Sequence, residues 1–284
     1  MKRLNIIKII TVIFLSFSLC TCKKDNPIGN DDQKIPSPQG WELVWHDEFD
    51  GATINPEKWS HEVNAQGGGN NELQYYTSRS ENSYIENGSL VIQALKEHYT
   101  GPEGTREYTS ARLRTYRKGD WKYGRFDIKA KLPYSKGIWP AIWMMPSESK
   151  YGGWAASGEI DIMELIGHEP DKVYGTLHYG GGWPNNVSSG EFYTLPQGTF
   201  ADDFHLFTIE WDTTQFRWYV DGIFYQSQSQ WHTSSAPYPA PFDQYFHLIL
   251  NVATGGNWPG NPDNITVFPQ KMIVDYVRVF KKIQ

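Results

Sequence analysis

From Trp41 onward the chain alternates between apolar and polar residues with a period of two. In 123-YGRFDIKAKLP-133, Phe126, Ile128, Ala130 and Leu132 alternate with Arg125, Asp127, Lys129 and Lys131. This marks a strand with one face on a core and one in water. The run 215-QFRWYVDGIFYQ-226 splits into two strand-like halves around Asp221-Gly222, a strong hairpin signal. Further short strands are predicted within 89–96, 110–116, 172–180, 204–211, 245–253 and 271–280. No stretch carries an amphipathic helix of several turns, and no repeat or second linker interrupts the pattern. With 26 Gly and 17 Pro for turns, this predicts one all-β domain, a sandwich of two antiparallel sheets.

The amino terminus breaks this pattern. Basic Met1-Lys2-Arg3 precedes a short, mostly apolar run from Ile6 to Leu19, the layout of an export signal rather than a membrane span. Both cysteines of the chain, Cys20 and Cys22, close that run. The stretch 19-LCTCKKDN-26 resembles a bacterial lipoprotein signal, with Leu19 three before Cys22 and small Thr21 directly before it. Residues 1–22 are thus expected to be a signal peptide with lipidation at Cys22. Cys20 is the less suitable alternative, and an ordinary cleaved signal remains the plainer one. Polar, Pro- and Gly-rich residues 23–38 are expected to be a flexible tether, and 39–284 the folded domain. The expectation is an exported, monomeric, lipid-anchored protein at the bacterial outer membrane or cell surface, without a disulfide framework.

Charge narrows the partners. Without residues 1–35 the chain has 20 basic and 29 acidic residues, a net charge of −9. That excludes a general nucleic-acid binder, which needs concentrated Lys and Arg. An uncharged sugar polymer is compatible with it, and aromatics make up 15% of the residues.

One strand carries candidate chemistry. In 158-GEIDIMELIG-167, Glu159, Asp161 and Glu164 sit among Ile, Met and Leu. A regular strand would turn Glu164 away from the other two. A bulge at Ile162-Met163 would put all three on one face. Two carboxyls brought within about 5–6 Å suit retaining glycoside hydrolysis, with Asp161 between them raising their proton affinity. The alternative is the wet side of an ordinary strand, and spacing alone leaves both open.

The pattern Glu-Ile-Asp-Ile-Met-Glu resembles the bulged signature of glycoside hydrolase family 16. The resemblance runs through 44-VWHDEFDG-51, 70-NNELQYYT-77, 137-GIWPAIWMMP-146, 251-NVATGGNWPG-260 and 275-DYVRVF-280, essentially the whole domain, and is closest to the bacterial laminarinases. It implies a jelly roll with a concave substrate cleft, acting as a retaining endo-β-1,3-glucanase that needs no catalytic cofactor. It further implies Glu159 as nucleophile, Glu164 as acid/base and Asp161 as the assisting carboxylate.

Trp139, Trp143 and Trp258 are implied to contact sugar, with Trp154 a weaker candidate, although a Trp is more often core. Pro140 is expected to favour an edge or bend. Asn70 and Arg112 are implied to bind hydroxyls and His178 to lie near the carboxylates. Glu72 and Asn251 complete the expected sugar-binding set. A structural calcium is implied at Glu48, the carbonyl of Gly88 and Asp275, positions that otherwise read as surface. Alternatives within the family are agarose or carrageenan as substrate; outside catalysis, a glucan-binding lectin. A sulfated chain would favour a basic cleft, and 251-NVATGGNWPG-260 favours the β-1,3-glucanases. The family's transglycosylases and lichenases usually lack the extra strand residue.

Overall fold

The computed structural model describes residues 35–283; Cys20, Cys22 and most of the expected tether lie outside them. Seventeen strands follow one another in the described residues. In chain order they are β1 (Trp41–Asp47), β2 (Ser60–His61), β3 (Gln74–Tyr76), β4 (Ser83–Glu86), β5 (Ser89–Gly101) and β6 (Gly104–Ser110). There follow β7 (Arg112–Arg114), β8 (Gly124–Lys131), β9 (Ile138–Pro146), β10 (Glu159–Glu164), β11 (Lys172–Tyr179) and β12 (Val187–Thr194). The last are β13 (His205–Trp211), β14 (Phe216–Val220), β15 (Ile223–Gln228), β16 (Phe246–Thr254) and β17 (Gln270–Lys282).

They form two sheets. One has seven strands in the order β12-β11-β10-β9-β16-β7-β2. The outer one runs β15-β14-β13-β8-β17-β5-β6-β3, with β1 added on β17 and β4 on β5. Pairing is antiparallel except between β3 and β6, which run parallel.

The alternation in β8 plays out as the sequence predicts. Phe126, Ile128 and Ala130 are buried, while Arg125 and Lys129 are not. The exception is Asp127, expected in water but buried, where it accepts the Thr208 hydroxyl at 2.7 Å and pairs with Arg125 at 2.9 Å. The three apolar residues meet Phe207, Ile209 and Trp211 of β13 in one core with Ile142 and Met144 of β9 and Leu248, Leu250 and Val252 of β16. The hairpin between β14 and β15 turns at Asp221 (φ 51°) and Gly222 (φ 78°). Both carry the positive φ of a type I′ turn, whose twist matches the strands.

Strands β1 to β4, the outer half of the β5–β6 hairpin and β12 fall outside the predicted segments. The β5–β6 hairpin runs well past residue 96 because its outer half is polar on both sides, and β12 is an edge strand largely in water. Strands hydrated on both faces leave no alternation to detect.

Pro140 is also placed otherwise than expected, inside central strand β9 between β10 and β16. Its carbonyl accepts Leu165 N–H at 3.2 Å, one residue beyond the end of β10. Its nitrogen faces the same way, so the missing N–H falls where that ladder is already closing.

Candidate active site

The site begins with the bulge. Asp161 pairs with Trp143 of β9, but the next partner, Ile142, faces Met163, so Ile162 is surplus. On the other side Asp161 faces Thr176 and Glu164 faces Tyr174, three steps of β10 against two of β11. Side chains directly opposite each other share a face. The registers therefore put Glu159, Asp161 and Glu164 on one side, with His178, Thr176 and Tyr174 of β11 and Trp139, Ala141 and Trp143 of β9. Asn251 opposite Ala141 and Arg112 opposite Asn251 extend that face across β16 and β7.

The far sheet helps to hold the bulge. Trp218 of β14, fully buried, donates its indole N–H to the Asp161 carbonyl at 2.9 Å. This gives the distorted backbone a partner inside the core. Gly175 of β11 leaves the room: a Cβ there would come within 2.6 Å of Trp218, Gln226 and the Tyr225 hydroxyl.

The two glutamates are held differently. Glu159 accepts the Trp154 indole N–H at 2.7 Å and lies 3.8 Å from His178 Nε2. Glu164 accepts the Trp139 indole N–H at 3.0 Å. His178 Nε2 is 3.1 Å from Asp161 Oδ2, close enough for an ion pair without the alignment of a hydrogen bond. Its Nδ1 is held by the Ser188 hydroxyl at 2.7 Å.

Desolvation pushes all three carboxyls up. Glu159 rises to about 7, through burial and then the Asp161 charge, against His178, the Trp154 N–H and Arg112. Asp161 rises to about 8 through burial. Glu164 moves well above the ordinary carboxylate range through burial and then the charges of both Asp161 and Glu159. Two like charges act on Glu164 and one on Glu159, while Glu159 has the more numerous stabilising partners. Glu159 is thus the easier to ionise and Glu164 the easier to keep protonated.

The other expected residues divide into a lining and a floor. Trp139 and Trp258 meet edge to face at 5.4 Å, and Tyr174 packs on Trp258 at 5.0 Å. Trp154 and Trp258 are more than a third exposed. Asn70 stands on the loop beneath Trp258, its carbonyl accepting Asn257 N–H at 2.8 Å. Glu72, Arg112 and Asn251 are nearly buried and form a braced floor. Asn251 accepts the Trp143 indole N–H at 2.7 Å and donates to the Tyr76 hydroxyl at 3.2 Å. Tyr76 in turn donates to Glu72 at 3.2 Å. The Arg112 guanidinium lies over the rings of Tyr76 and Trp143 at 4.4 and 5.4 Å. Gly68 (φ 57°) lets the chain pass over the Glu72 carboxylate, where a Cβ would stand 2.1 Å from Oε1.

Sequence reasoning missed Tyr76, Tyr174, Ser188 and Trp218. Tyr76 lies in a matched block and carried a signal; the other three are set by pairing across strands and sheets. Two surface hollows of about 680 and 470 Å³ lie elsewhere, one beside Trp41 and Trp211, the other beside Tyr116 and Tyr245.

Glu48, Gly88 and Asp275 converge on the outer sheet. Val274 pairs with Leu90 of β5 and Val277 with Asp47 of β1, and Asp275 is the surplus residue of a bulge between Val274 and Tyr276. The Glu48 carboxylate is taken by Arg278 at 3.0 and 2.7 Å, and Asp275 Oδ2 by Lys129 at 2.9 Å. Both carboxylates are thus already paired with cationic side chains, so a hard cation there would need Asp275 Oδ1 and main-chain carbonyls in place of the Glu48 side chain.

Comparison with known proteins agrees with this geometry. Residues 66–277 match the family described as glycosyl hydrolases family 16. The chain is 45% identical over 252 residues to the beta-glucanase of Rhodothermus marinus, covering 86% of each. It is 44% identical over 264 residues to glucan endo-1,3-beta-glucosidase A1 of Niallia circulans, covering 87% of this chain but only 39% of that longer enzyme. Among solved structures, the laminarinase catalytic domain from Thermotoga maritima matches with a TM-score of 0.77 at 45% identity, over 87% of this chain and 100% of that one. With its bulged carboxylate strand on the seven-stranded sheet of a two-sheet jelly roll, the chain belongs to glycosyl hydrolase family 16.

Proposed function

We propose that the protein is a retaining endo-β-1,3-glucanase acting on laminarin-like glucans and also on mixed β-1,3/1,4 chains. The observation that carries this is the bulge, which sets Glu159 and Glu164 on one face in unequal surroundings. Ionised Glu159 attacks the anomeric carbon while Glu164 gives its proton to the departing glycosidic oxygen, leaving a glycosyl ester on Glu159. Glu164, now a carboxylate, takes a proton from water as that water attacks the same carbon and frees Glu159. Two inversions give net retention. Asp161, between them, supports a proton shared with the nucleophile. No catalytic cofactor takes part.

The test offers laminarin, mixed-linkage glucan, agarose and carrageenan side by side. New reducing ends are expected from the first two, with the β-anomer appearing first by NMR. Reducing ends from agarose or carrageenan alone would move the substrate within the family. An α-anomer appearing first would end the retaining mechanism. Tight binding of laminarin without any cleavage would make the protein a lectin.

The bulge at Asp275, flanked by the ends of β1 and β5, supports a structural calcium as part of the same proposal. Chelation is then expected to lower the melting temperature, and added calcium to restore it. An unchanged melting temperature would remove the ion.

A further inference from the structure

An aromatic path leads away from Glu164. Trp139, whose N–H holds Glu164, packs on Trp258, Trp258 on Tyr174, and Tyr174 on Phe192 at 6.1 Å. Phe192 lies in edge strand β12, directly opposite Tyr174, which lies directly opposite Glu164. The registers therefore put its ring on the same sheet face as the carboxylates. Two strand spacings separate it from β10, on the order of 10 Å, or about two sugar rings.

Phe192 is not held in the core. Its side of the strand holds Ser188, Gly190 and Thr194 in the other positions, and the residue is 53% exposed. Its ring lies tilted by 55° against Tyr174, with Lys172 Nζ 5.3 Å from it, and that ammonium is already paired with Glu169 at 2.8 Å. A half-exposed phenyl in an edge strand is a liability for aggregation. It gains a use when an apolar sugar face stacks on it, as aromatic rings do with flat apolar partners.

We propose that Phe192 is the platform of a remote glucan subsite on the Glu164 side of the cleft, reached only by chains extending about two residues past the cleaved bond. The occupant is a neutral β-glucan chain laid across the strands, because the path is continuous with the catalytic face and its polar rim has little net charge. Lys172 and Glu169 cancel. The inference rests on the glucanase reading and deepens it.

The test compares wild type with Phe192→Ala and Phe192→Trp on β-1,3-gluco-oligosaccharides from the trimer to the hexamer. For the hexamer, kcat/KM is expected to fall about three- to tenfold in the alanine variant and to recover in the tryptophan variant. The trimer should be unaffected, and melting temperatures should match. Calorimetry with the hexamer on a Glu159→Gln background is expected to show the same loss of affinity. A fall equal at every length, or none at any length, would overturn the subsite. If wild type itself cleaves none of these chains, the glucanase reading fails instead, and hexamer affinity in the two variants then decides the platform alone.

Discussion

Glu159→Ala is expected to abolish hydrolysis of laminarin, on the order of 10⁴-fold or more, because the covalent step loses its nucleophile. The folded state should not suffer. Glu159 is a desolvated carboxyl beside another, and removing it relieves repulsion at Asp161 and Glu164. The space left behind opens to the cleft next to Trp154. Azide added to this variant should attack the anomeric carbon directly, in one displacement, and yield the α-glycosyl azide from an activated β-glycoside. A β-azide product, or activity surviving at more than about a hundredth of wild type, would show that another group is the nucleophile.

Glu164→Ala is expected to behave differently, and the difference separates the two carboxylates. On native glucans the loss should be about 10²- to 10⁴-fold, the usual worth of a positioned acid and base. On an aryl glycoside that leaves without protonation, the first step should survive. The second step lacks its base, so the glycosyl-enzyme accumulates and a burst appears. Azide should then relieve the block and give the β-glycosyl azide. The pH profile carries the same assignment. Activity requires Glu159 ionised, so it should rise as pH passes through about 7. It also requires Glu164 protonated, so it should fall at higher pH in wild type. With the aryl substrate, Glu164→Ala should abolish that falling limb and keep the rising one. A profile unchanged by the substitution would remove Glu164 from the acid's role.

Much of the architecture was legible in advance because its cause is local. Alternation in β8, β13 and β17 follows from one face being buried and one wet, and that pattern is written residue by residue. Asp221-Gly222 announced its hairpin because both residues tolerate positive φ. Among the strands that stayed hidden, β12 and the outer half of β5–β6 owe their stability to pairing rather than to burial. Pro140 misled for a related reason. A proline's cost depends on whether its nitrogen faces a carbonyl, which is a matter of where the neighbouring strand stops.

The carboxylate strand shows the division most sharply. Sequence alone determined that three acids lie within six residues, and that a single surplus residue would align them. It could not order the two glutamates except by resemblance, since both are the same side chain. Tertiary structure adds a physical asymmetry between them that favours the same order. His178, arriving from β11, and Trp154, from the loop before β10, favour the ionised form of Glu159, while Glu164 faces two like charges. It also decided what maintains the bulge. Trp218 reaches across from the far sheet to the Asp161 carbonyl through the gap left by Gly175. Desolvation, hydrogen bonding and charge act through space over a few ångströms. Residues 161, 175 and 218 therefore form one device, though nothing in the linear order of the chain connects them.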